Sequence, residues 1–395
     1  MGLWVGDVNL DIDIGFGSGP LATSPSWTDV STDVRALTIT RGRSSVHDQF
    51  DSGTMVVTVD NRDGDFDPNN TSSPHDPDLK LGTPLRIQAT HSVTTYDLGR
   101  GHISRWPLDY SVSPKFEATV ALEVTENLAI LRTTRLQAQA EVFESVDTRI
   151  GNILDAVSWP AADRSLTSTA TGVAAVTFTG SAGIFLDQAV EAEQGYFFIA
   201  KNGDATFRPR TLFSSTSSQA TFGSGGGELD YTAIDILPYD DDLLINLAEI
   251  TGATGNAQSK IDTTSRTAHG EHAFSSSNAS IPNESSAQNV ADWIVGKHKD
   301  VEVRITGFTI QPQNDPTNLW PEVLDRELLD LVTIKFDPPG GGDALNQLVA
   351  IEGIQHSIGP GFWETTYTCH PASAFETTSY WDLDTSQLDT TTVLA

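Results

Sequence analysis

Apolar and polar residues alternate with a period of two in many short runs of this chain. The runs are rich in Val, Ile, Thr and aromatic residues, and Gly, Pro, Asn and Asp separate them. Clear examples are residues 54–59, 84–89, 116–124 and 300–305. Such alternation places one face of each strand in a core and the other towards water or a neighbour. The pattern predicts a fold dominated by antiparallel β-structure.

Two segments in the middle of the chain instead repeat their apolar residues at helical spacing. In the first, Asp147 is placed to cap a helix that Trp159-Pro160 ends, with an apolar face of Ile150, Ile153, Leu154 and Val157. The second runs from about 184 to 194, and Gly195 is placed to terminate it.

A hairpin signal follows these two helices directly. Asn202-Gly203 lies between the apolar runs 196–200 and 205–210, and Asn-Gly in that setting favours a tight hairpin. Residues of about 140–210 are therefore expected to form a small α/β unit between β regions.

A third helix is predicted from Ser285 or Ser286 to about Lys299, and a strand begins at Val301. This gives a second, smaller α/β unit near 270–325.

The β regions that flank these units resemble each other in order. Both show a turn, an apolar strand, a Gly-containing strand with Ile near its end, a polar connector with Pro, and a long alternating strand. The matching stretches are 81–87, 99–105 and 106–120 in the first region, and 329–335, 350–355 and 356–368 in the second. The order predicts two related β-barrels within one chain.

Charge changes the picture of possible partners. The 395 residues include 23 Lys and Arg against 53 Asp and Glu, which gives a net charge of −30. A polyanion is repelled by such a chain, so specific nucleic-acid binding through a basic surface is excluded. A single cysteine, Cys369, excludes an intrachain disulfide framework, and no Cys/His array predicts a structural zinc.

Targeting signals are not evident in the sequence. The first residues lack the basic and apolar regions of a secretory signal, and no apolar run approaches the length of a membrane span. A soluble chain without membrane insertion is expected.

Several motifs resemble the minor tail proteins of tailed phages that form the tail hub, or baseplate hub. Residues 60–70, which follow an alternating strand, resemble that family's N-terminal barrel together with Leu81-Gly82 and 99–103. The remaining matches are the inserted α/β unit (193–198 with 203–208), the entry to the second barrel (239–246), its exit (352–354 with 362–363) and the chain end (381–384 to 392–395).

The resemblance implies a mainly β fold with small α/β insertions, in which two antiparallel β-barrel domains each carry a small α/β domain. The expected divisions are an N-terminal segment (1–28), the first barrel (29–139, completed by about 211–240), its inserted domain (140–210), the start of the second barrel (241–269), its inserted domain (270–325), completion of the second barrel (326–372) and a C-terminal tail (373–395).

The function implied by the resemblance is structural. A homotrimer at the virion's tail tip would present six similar barrels to a six-fold tail tube and three-fold symmetry to the proteins below. Implied partners are the distal tail or tube protein, the tape-measure protein and other minor tail or receptor-binding proteins. DNA would pass through a channel that opens on host attachment, without specific binding. The excess of acidic residues has two possible explanations, and the sequence leaves both open. Acidic residues could line the channel and let DNA slide through it, or an acidic surface could only keep the subunit soluble.

Two other functions remain as alternatives. One is a carbohydrate-binding or carbohydrate-cleaving module of a virion or bacterial surface, which predicts converging aromatic and carboxylate side chains and a working monomer. The other is a hexameric distal tail ring protein, which shares the first barrel but would normally lack the strand pattern that this chain continues from about 240 to 370.

Candidate chemical sites all favour structural explanations. The loop 60–70 fails the register of a calcium loop, so Asx turns are expected. The remaining candidates are explained as a solvated loop (His269-Gly270-Glu271-His272), a flexible segment (15–20), a turn of repelling acids (Asp240-Asp241-Asp242) and a buried small side chain (Cys369). The sequence predicts no enzyme, and no catalytic, cofactor-binding or metal-binding residues.

Four tryptophans lie near Gly, Pro and Ser/Thr-rich connectors, where an aromatic residue often anchors a loop or an interface. They are Trp4, Trp27, Trp320 and Trp381.

Overall fold

The computed structural model describes residues 6–44, 49–111, 117–214, 217–238 and 243–374. Strands dominate, as the alternating pattern predicts, and most of them pair antiparallel in one large sheet. No helix among the described residues is long and apolar enough to cross a membrane. Short 3₁₀ turns occupy Ser31–Asp33, Ala161–Asp163, Arg210–Ser214, Pro312–Asn314 and Ala372–Ala374.

Half-sheet 1 comes from the first part of the chain. Its strands are β1 (Val8–Ile14), β2 (Thr28–Asp29), β3 (Val34–Gly42), β4 (Asp51–Asp60), β5 (Pro84–His91), β6 (Thr94–Arg105), β7 (Leu108–Ser111) and β8 (Glu117–Thr125). They lie in the order β2-β1-β5-β6-β8-β4-β3, with β7 also on β8. Residues 1–28 were expected to form a separate segment, but β1 pairs with β5 along its whole length because its Val, Leu and Ile alternate with polar residues and point into the core.

The first α/β unit follows half-sheet 1. Its elements are α1 (Leu128–Thr133), β9 (Arg135–Glu141), β10 (Glu144–Ser145), α2 (Val146–Ala156), β11 (Arg164–Leu166), β12 (Gly172–Val173), β13 (Val176–Ser181), α3 (Ala182–Glu193), β14 (Tyr196–Ile199) and β15 (Ala205–Arg208). The predicted helices and the β14–β15 hairpin are present. Ser145, not Asp147, is the N-cap residue of α2, and Gln194, not Gly195, takes the left-handed conformation that ends α3.

Two strands then lead into the second α/β unit. The elements are β16 (Thr221–Phe222), β17 (Ala233–Leu237), β18 (Leu247–Thr251), β19 (Ala257–Ile261), α4 (Thr263–His269), β20 (Ala273–Ser277) and α5 (Glu284–His298). The helix predicted to begin at Ser285 or Ser286 starts at Glu284, because Asn283 caps it by accepting a hydrogen bond from the backbone N–H of Ser286 at 2.9 Å. The expected division places β18 and β19 in the second barrel, but they pair with each other and β18 pairs with β20, in a separate three-stranded sheet.

Half-sheet 2 completes the described fold. Beyond β16 and β17 it contains β21 (Arg304–Ile310), β22 (Leu331–Phe336), β23 (Leu345–Gly359) and β24 (Phe362–Pro371), with α6 (Pro316–Asp325) between β21 and β22. β16 pairs with β22, and β17 pairs with β21, so residues 211–240 do not complete the first barrel as expected.

The two half-sheets repeat one topology. The order in half-sheet 1 is β5-β6-β8-β4-β3, and the order in half-sheet 2 is β22-β23-β24-β21-β17. Strands at the same position in the two orders also follow one another in the same succession along the chain, and all neighbouring pairs are antiparallel. The internal repeat predicted from sequence is therefore present as a repeated strand order. The half-sheets are not two closed barrels, because β3 pairs with β23 and joins them into one sheet, and no strand pairing among the described residues closes either half. We call the β3–β23 ladder the seam.

Two hydrophobic cores divide the molecule across these units. Both half-sheets share the first core, and α6 belongs to it through Leu319, Trp320, Val323 and Leu324. The two α/β units share the second core, although they are far apart in sequence. β14 lies between the cores, since Tyr196 and Phe198 join the first while Phe197 and Ile199 join the second.

Candidate functional site at the seam

The seam ends at a pair of opposed glycines. β3 and β23 pair from Leu37 opposite Ile358 to Gly42 opposite Gly353. The register shifts beside the glycines on both sides of the seam, between Thr40 and Gly42 on β3 and between Ile351 and Gly353 on β23. β-Bulges of this kind bend a sheet and redirect side chains. The flanking residues Arg41, Arg43 and Glu352 are the ones that become buried.

Arg41 is the centre of a buried charge cluster. Its guanidinium donates to Glu126 Oε1 at 2.8 Å and to the carbonyl oxygen of Ile199 at 2.6 Å, and it lies 2.9 Å from Glu327 Oε1. Only 4% of Arg41 is exposed. The cluster therefore joins half-sheet 1, the first α/β unit and half-sheet 2 at one side chain.

Glu327 extends this cluster to the β14–β15 turn. Its Oε2 atom accepts from the backbone N–H of Lys201 at 2.7 Å. The Lys201 ammonium donates to the carbonyl oxygens of Leu324 and Asp325 at the end of α6, at 3.0 and 2.5 Å. A lysine near the C-terminus of a helix interacts favourably with its unpaired carbonyls.

Arg43 forms a second buried cluster beside the first. It pairs with Glu352 on β23, and Glu352 also contacts His370 on β24. The Arg43 guanidinium lies over the rings of Phe50 and Tyr196, at 4.7 and 5.8 Å from their centroids. Cation–π contact of this kind adds attraction where water is excluded.

Burial and charge oppose each other at these carboxylates. Burial raises the pKa of Glu126, and Arg41 and the backbone N–H of Gly53 offset only part of that effect. For Glu352 burial also acts to raise the pKa, but Arg43 and His370 outweigh it, so the pKa of Glu352 is lowered. Burial acts to lower the pKa of the Arg41 guanidinium, and Glu327 and Glu126 more than compensate. Each buried charge at the seam is thus held by an opposite one.

A cavity of about 680 Å³ opens on the outer side of the seam. Its lining includes Gly42, Gly353, Phe50, Thr366, Thr368 and Arg132. The Arg132 guanidinium is paired with Asp187 on α3. Arg41, Arg43 and Arg132 of this lining are each paired with a carboxylate of the same chain, so the arrangement suits fastening of the three units to one another.

The loop 60–70 uses its polar side chains to hold its own backbone. Asp67 Oδ1 accepts from the N–H of Asn69 at 2.8 Å, and Asn70 Oδ1 accepts from that of Ser72 at 3.0 Å. These contacts are the Asx turns predicted from the sequence. Asp60 instead pairs with Arg35 and Arg62, and hydrogen bonds from Arg62 contribute most to holding its pKa well below the usual range.

Other sequence candidates do not converge on a site. His269 ends α4, and His272 Nε2 lies 3.3 Å from its carbonyl oxygen at an exposed turn. The segment 15–20 follows β1, and its Gly15 N–H donates to the carbonyl oxygen of Pro84. Asp240-Asp241-Asp242 lies outside the described residues. Nowhere in the described ranges are three or more His, Cys, Asp or Glu residues placed to hold a metal ion.

Cys369 and two of the four tryptophans have defined environments. Cys369 is fully buried on β24, and burial raises the pKa of its thiol well above the usual value. Trp320 lies in the first core, with its ring edge-on to that of Trp363 at 5.1 Å. Trp27 is half-buried beside Arg86 and Arg100. Trp4 and Trp381 lie outside the described residues.

Sequence reasoning did not find the seam. The only local signal is Arg41-Gly42-Arg43, two bases around a glycine at the end of an alternating strand, in a chain with few bases. Their partners Glu126, Glu327 and Glu352 are distant in sequence, so no spacing marks them.

Comparison of the fold with solved structures finds two proteins of nearly the same extent. The tail protein from Neisseria meningitidis MC58 aligns with a TM-score of 0.64 at 9% identity, over 93% of this chain and 98% of that one. The 43 kDa tail protein of prophage MuSo2 from Shewanella oneidensis aligns with a TM-score of 0.58 at 11% identity, over 93% and 99%. This chain therefore shares their α+β fold. No protein-family model matches the sequence, and no curated protein matches it.

Proposed function

We propose that this chain is a structural subunit of a phage tail and forms the trimeric hub at the tail tip. The observation that carries the proposal is the repeated five-strand order of the two half-sheets. Three copies of such a chain present six similar units, which fits a six-fold tube above, and three-fold symmetry below. The fold shared with two phage tail proteins over nearly their full lengths supports the same function.

The proposed partners follow from this position. The chain would contact further copies of itself, a distal tail or tube protein, the end of a tape-measure protein, and other minor tail or receptor-binding proteins. DNA would cross the ring without specific binding, which the net charge of −30 supports. The function is mechanical and non-enzymatic, and the paired charges of the seam would keep each subunit's two halves in fixed relation under load.

The mass of the purified chain in solution tests this proposal. Three times the chain mass of 42.5 kDa by light scattering supports the hub. Six times that mass would favour a distal ring instead, although the complete second half-sheet argues against it. A monomer that binds or cleaves polysaccharide would overturn the proposal. Counting the copies per particle by quantitative mass spectrometry is an independent check on the same number.

A further inference from the structure

Two arginines stand directly opposite each other on the outer face of half-sheet 1. Arg86 on β5 is the cross-strand neighbour of Arg100 on β6. Like charges placed directly opposite each other destabilise a sheet. Among the described strands this is the only Arg–Arg pair, in a chain with only 23 Lys and Arg. Such an arrangement calls for a compensating negative group.

The chain supplies a countercharge to each arginine, but it leaves some of their hydrogen-bond donors unused. Asp13 accepts from Arg86 Nε at 3.0 Å, and Arg100 Nη2 donates to the carbonyl oxygen of Ala22 at 3.0 Å and lies 3.9 Å from Asp163. No described residue bonds the two terminal nitrogens of Arg86, or Nε and Nη1 of Arg100. Both side chains are partly exposed, at 33% and 18%. Donors with fixed geometry therefore remain available to an incoming group.

These donors line a small pocket built around Trp27. The guanidinium carbons of Arg86 and Arg100 lie 4.7 and 5.9 Å from the centroid of its ring, which holds both side chains in place. The pocket has a volume of about 200 Å³, and Thr23, Ser24 and Asn202 add polar groups to its wall. Asp97 is the one carboxylate of the lining, and it accepts a hydrogen bond from Gln88 at 2.8 Å.

We propose that the Trp27–Arg86–Arg100 pocket binds the carboxylate of an Asp or Glu side chain from a second copy of this chain. Arginine forks match a carboxylate in geometry as well as charge. The pocket is smaller than the roughly 300–1,000 Å³ typical of small-molecule sites, so it suits one side chain. With 53 acidic residues against 23 basic ones, an approaching copy presents mostly carboxylates. The inference rests on the proposed homotrimer, and it names a contact that offsets repulsion between copies at −30 each.

Carbodiimide cross-linking of an Arg100→Lys variant tests this contact in the full-length protein. The new ammonium keeps the charge and forms an amide with any carboxylate that touches it. We expect a link between residue 100 and an Asp or Glu of another copy, identified by mixing ¹⁵N-labelled and unlabelled chains before mass spectrometry. Arg105→Lys is the matched control, because Arg105 lies on the same strand, is 70% exposed and pairs with Glu123 of its own chain. It should give no link between copies.

A charge-removing variant gives a second readout. Arg100→Gln should weaken self-association about tenfold, as expected for loss of one charge-assisted hydrogen bond. Because the change also removes the hydrogen bond to the carbonyl oxygen of Ala22, circular dichroism is used to check that the variant stays folded. A fully assembled oligomer with only within-chain links at residue 100 overturns this inference and leaves the proposed function standing. A chain that stays monomeric overturns both. A third outcome is that malonate binds saturably to the unassembled chain, that Arg100→Gln abolishes this binding, and that no links form between copies. The pocket would then take a free carboxylate, and the assignment to a second copy would be overturned.

Discussion

Gly42 and Gly353 lie directly opposite each other across the seam, and a Cβ atom on Gly42 would come within 2.1 Å of the carbonyl oxygen of Glu352. Gly42 also has a φ of +100°, a backbone conformation that residues other than glycine rarely adopt. The two half-sheets can approach this closely because Gly42 has no side chain, whereas a Cβ atom on Gly353 would make only tight contacts, at 3.0 Å from Thr368 Cβ and 3.1 Å from the carbonyl oxygen of Arg43. Substitution at this point therefore tests whether the seam holds the molecule together.

Gly42→Ala should lower the free energy of unfolding by about 3 kcal/mol, because the added methyl group meets backbone and not a flexible side chain. Urea denaturation followed by tryptophan fluorescence measures the change. Gly340→Ala is the control, since Gly340 also has a positive φ of +88°, but a methyl group added there would have no atoms of the described residues within 4 Å. It should cost about 1 kcal/mol. Equal losses for the two variants would show that strain alone, and not the seam, explains the effect.

Arg41→Met removes the positive charge between Glu126 and Glu327 while keeping most of the side-chain volume. Breaking a buried ion pair by removing one partner costs about 3–5 kcal/mol, because the other charge stays buried without compensation. Chemical denaturation should show this loss, and adding Glu126→Gln should restore part of it. Arg105→Met, which breaks the exposed pair with Glu123, should cost less than about 1 kcal/mol. Identical effects at the two arginines would contradict the role assigned to the cluster.

His356 makes stability depend on pH. It is buried beside Trp363, and its Nδ1 lies 2.8 Å from Thr365 Oγ1. Burial, followed by the charges of Arg41 and Lys201, lowers its pKa to about 3. In the unfolded chain the histidine has an ordinary pKa of about 6.5 and binds a proton more readily than in the folded chain. The stability that neutral His356 contributes is therefore lost as the pH falls from about 6.5 to 3.

As the pH is lowered from 6 to 4, the free energy of unfolding of the wild type should therefore fall more steeply than that of His356→Gln, by up to about 1.4 kcal/mol per pH unit. Urea denaturation at each pH measures this difference. His269→Gln, at an exposed position, serves as the control and should follow the wild type. A constant difference between wild type and His356→Gln across this range would refute the assignment.

Cys369 offers a probe of sheet opening beside the seam, since it is the only cysteine. It lies on β24 opposite Ile351, next to the bulge, and is fully buried with a raised pKa. Native protein should react with iodoacetamide at least about a hundredfold more slowly than unfolded protein, because reaction requires local opening. Gly42→Ala should speed the labelling, as followed by intact mass. Rapid labelling of the native wild type would show that this part of the sheet opens freely.

Asn278 joins the two α/β units. Its side-chain amide donates to the carbonyl oxygen of Gln188 at 2.8 Å and to Glu191 at 3.1 Å, while its own oxygen accepts from the N–H of Ser280. Asn278→Ala should cost about 2 kcal/mol, because buried partners are left unsatisfied. It should leave Cys369 labelling in native buffer nearly unchanged, because it acts on the second core. Asn256→Ala, which removes one exposed hydrogen bond to Glu284, should change stability by less than about 0.5 kcal/mol.

Local pattern predicted the elements well and their partners poorly. The helices near 150, 190 and 290 and the Asn202-Gly203 hairpin follow from spacing and turn residues within short windows. β1 was missed because its Asp11 and Asp13 resemble a polar connector, and Arg86, which pairs with Asp13, lies on another strand. α6 was missed because Pro316 and Pro321 are typical of breaks, although Pro316 stands where a helix tolerates it, in the first turn.

The candidate site depends on contacts between distant residues. Nothing in residues 34–42 indicates that β3 will meet β23, and the apolar faces of α3 and α5 do not show that they share one core. The similarity of the two halves could be anticipated because both carry the same succession of turns and strands, but the order of the strands within each half could not. The pairing of the two half-sheets at the seam could not be anticipated either, since it depends on glycines and charged residues whose partners lie in other elements.

The two strands of the seam are synthesised at different times. β3 leaves the ribosome roughly 300 residues before β23, an interval of about 15 s to a minute at about 5–20 residues per second. During that interval the edge of β3 has its backbone groups unpaired, which is a template for unwanted pairing with another nascent chain. Fast overexpression should therefore favour inclusion bodies, and slowing translation or lowering the temperature should raise the soluble yield.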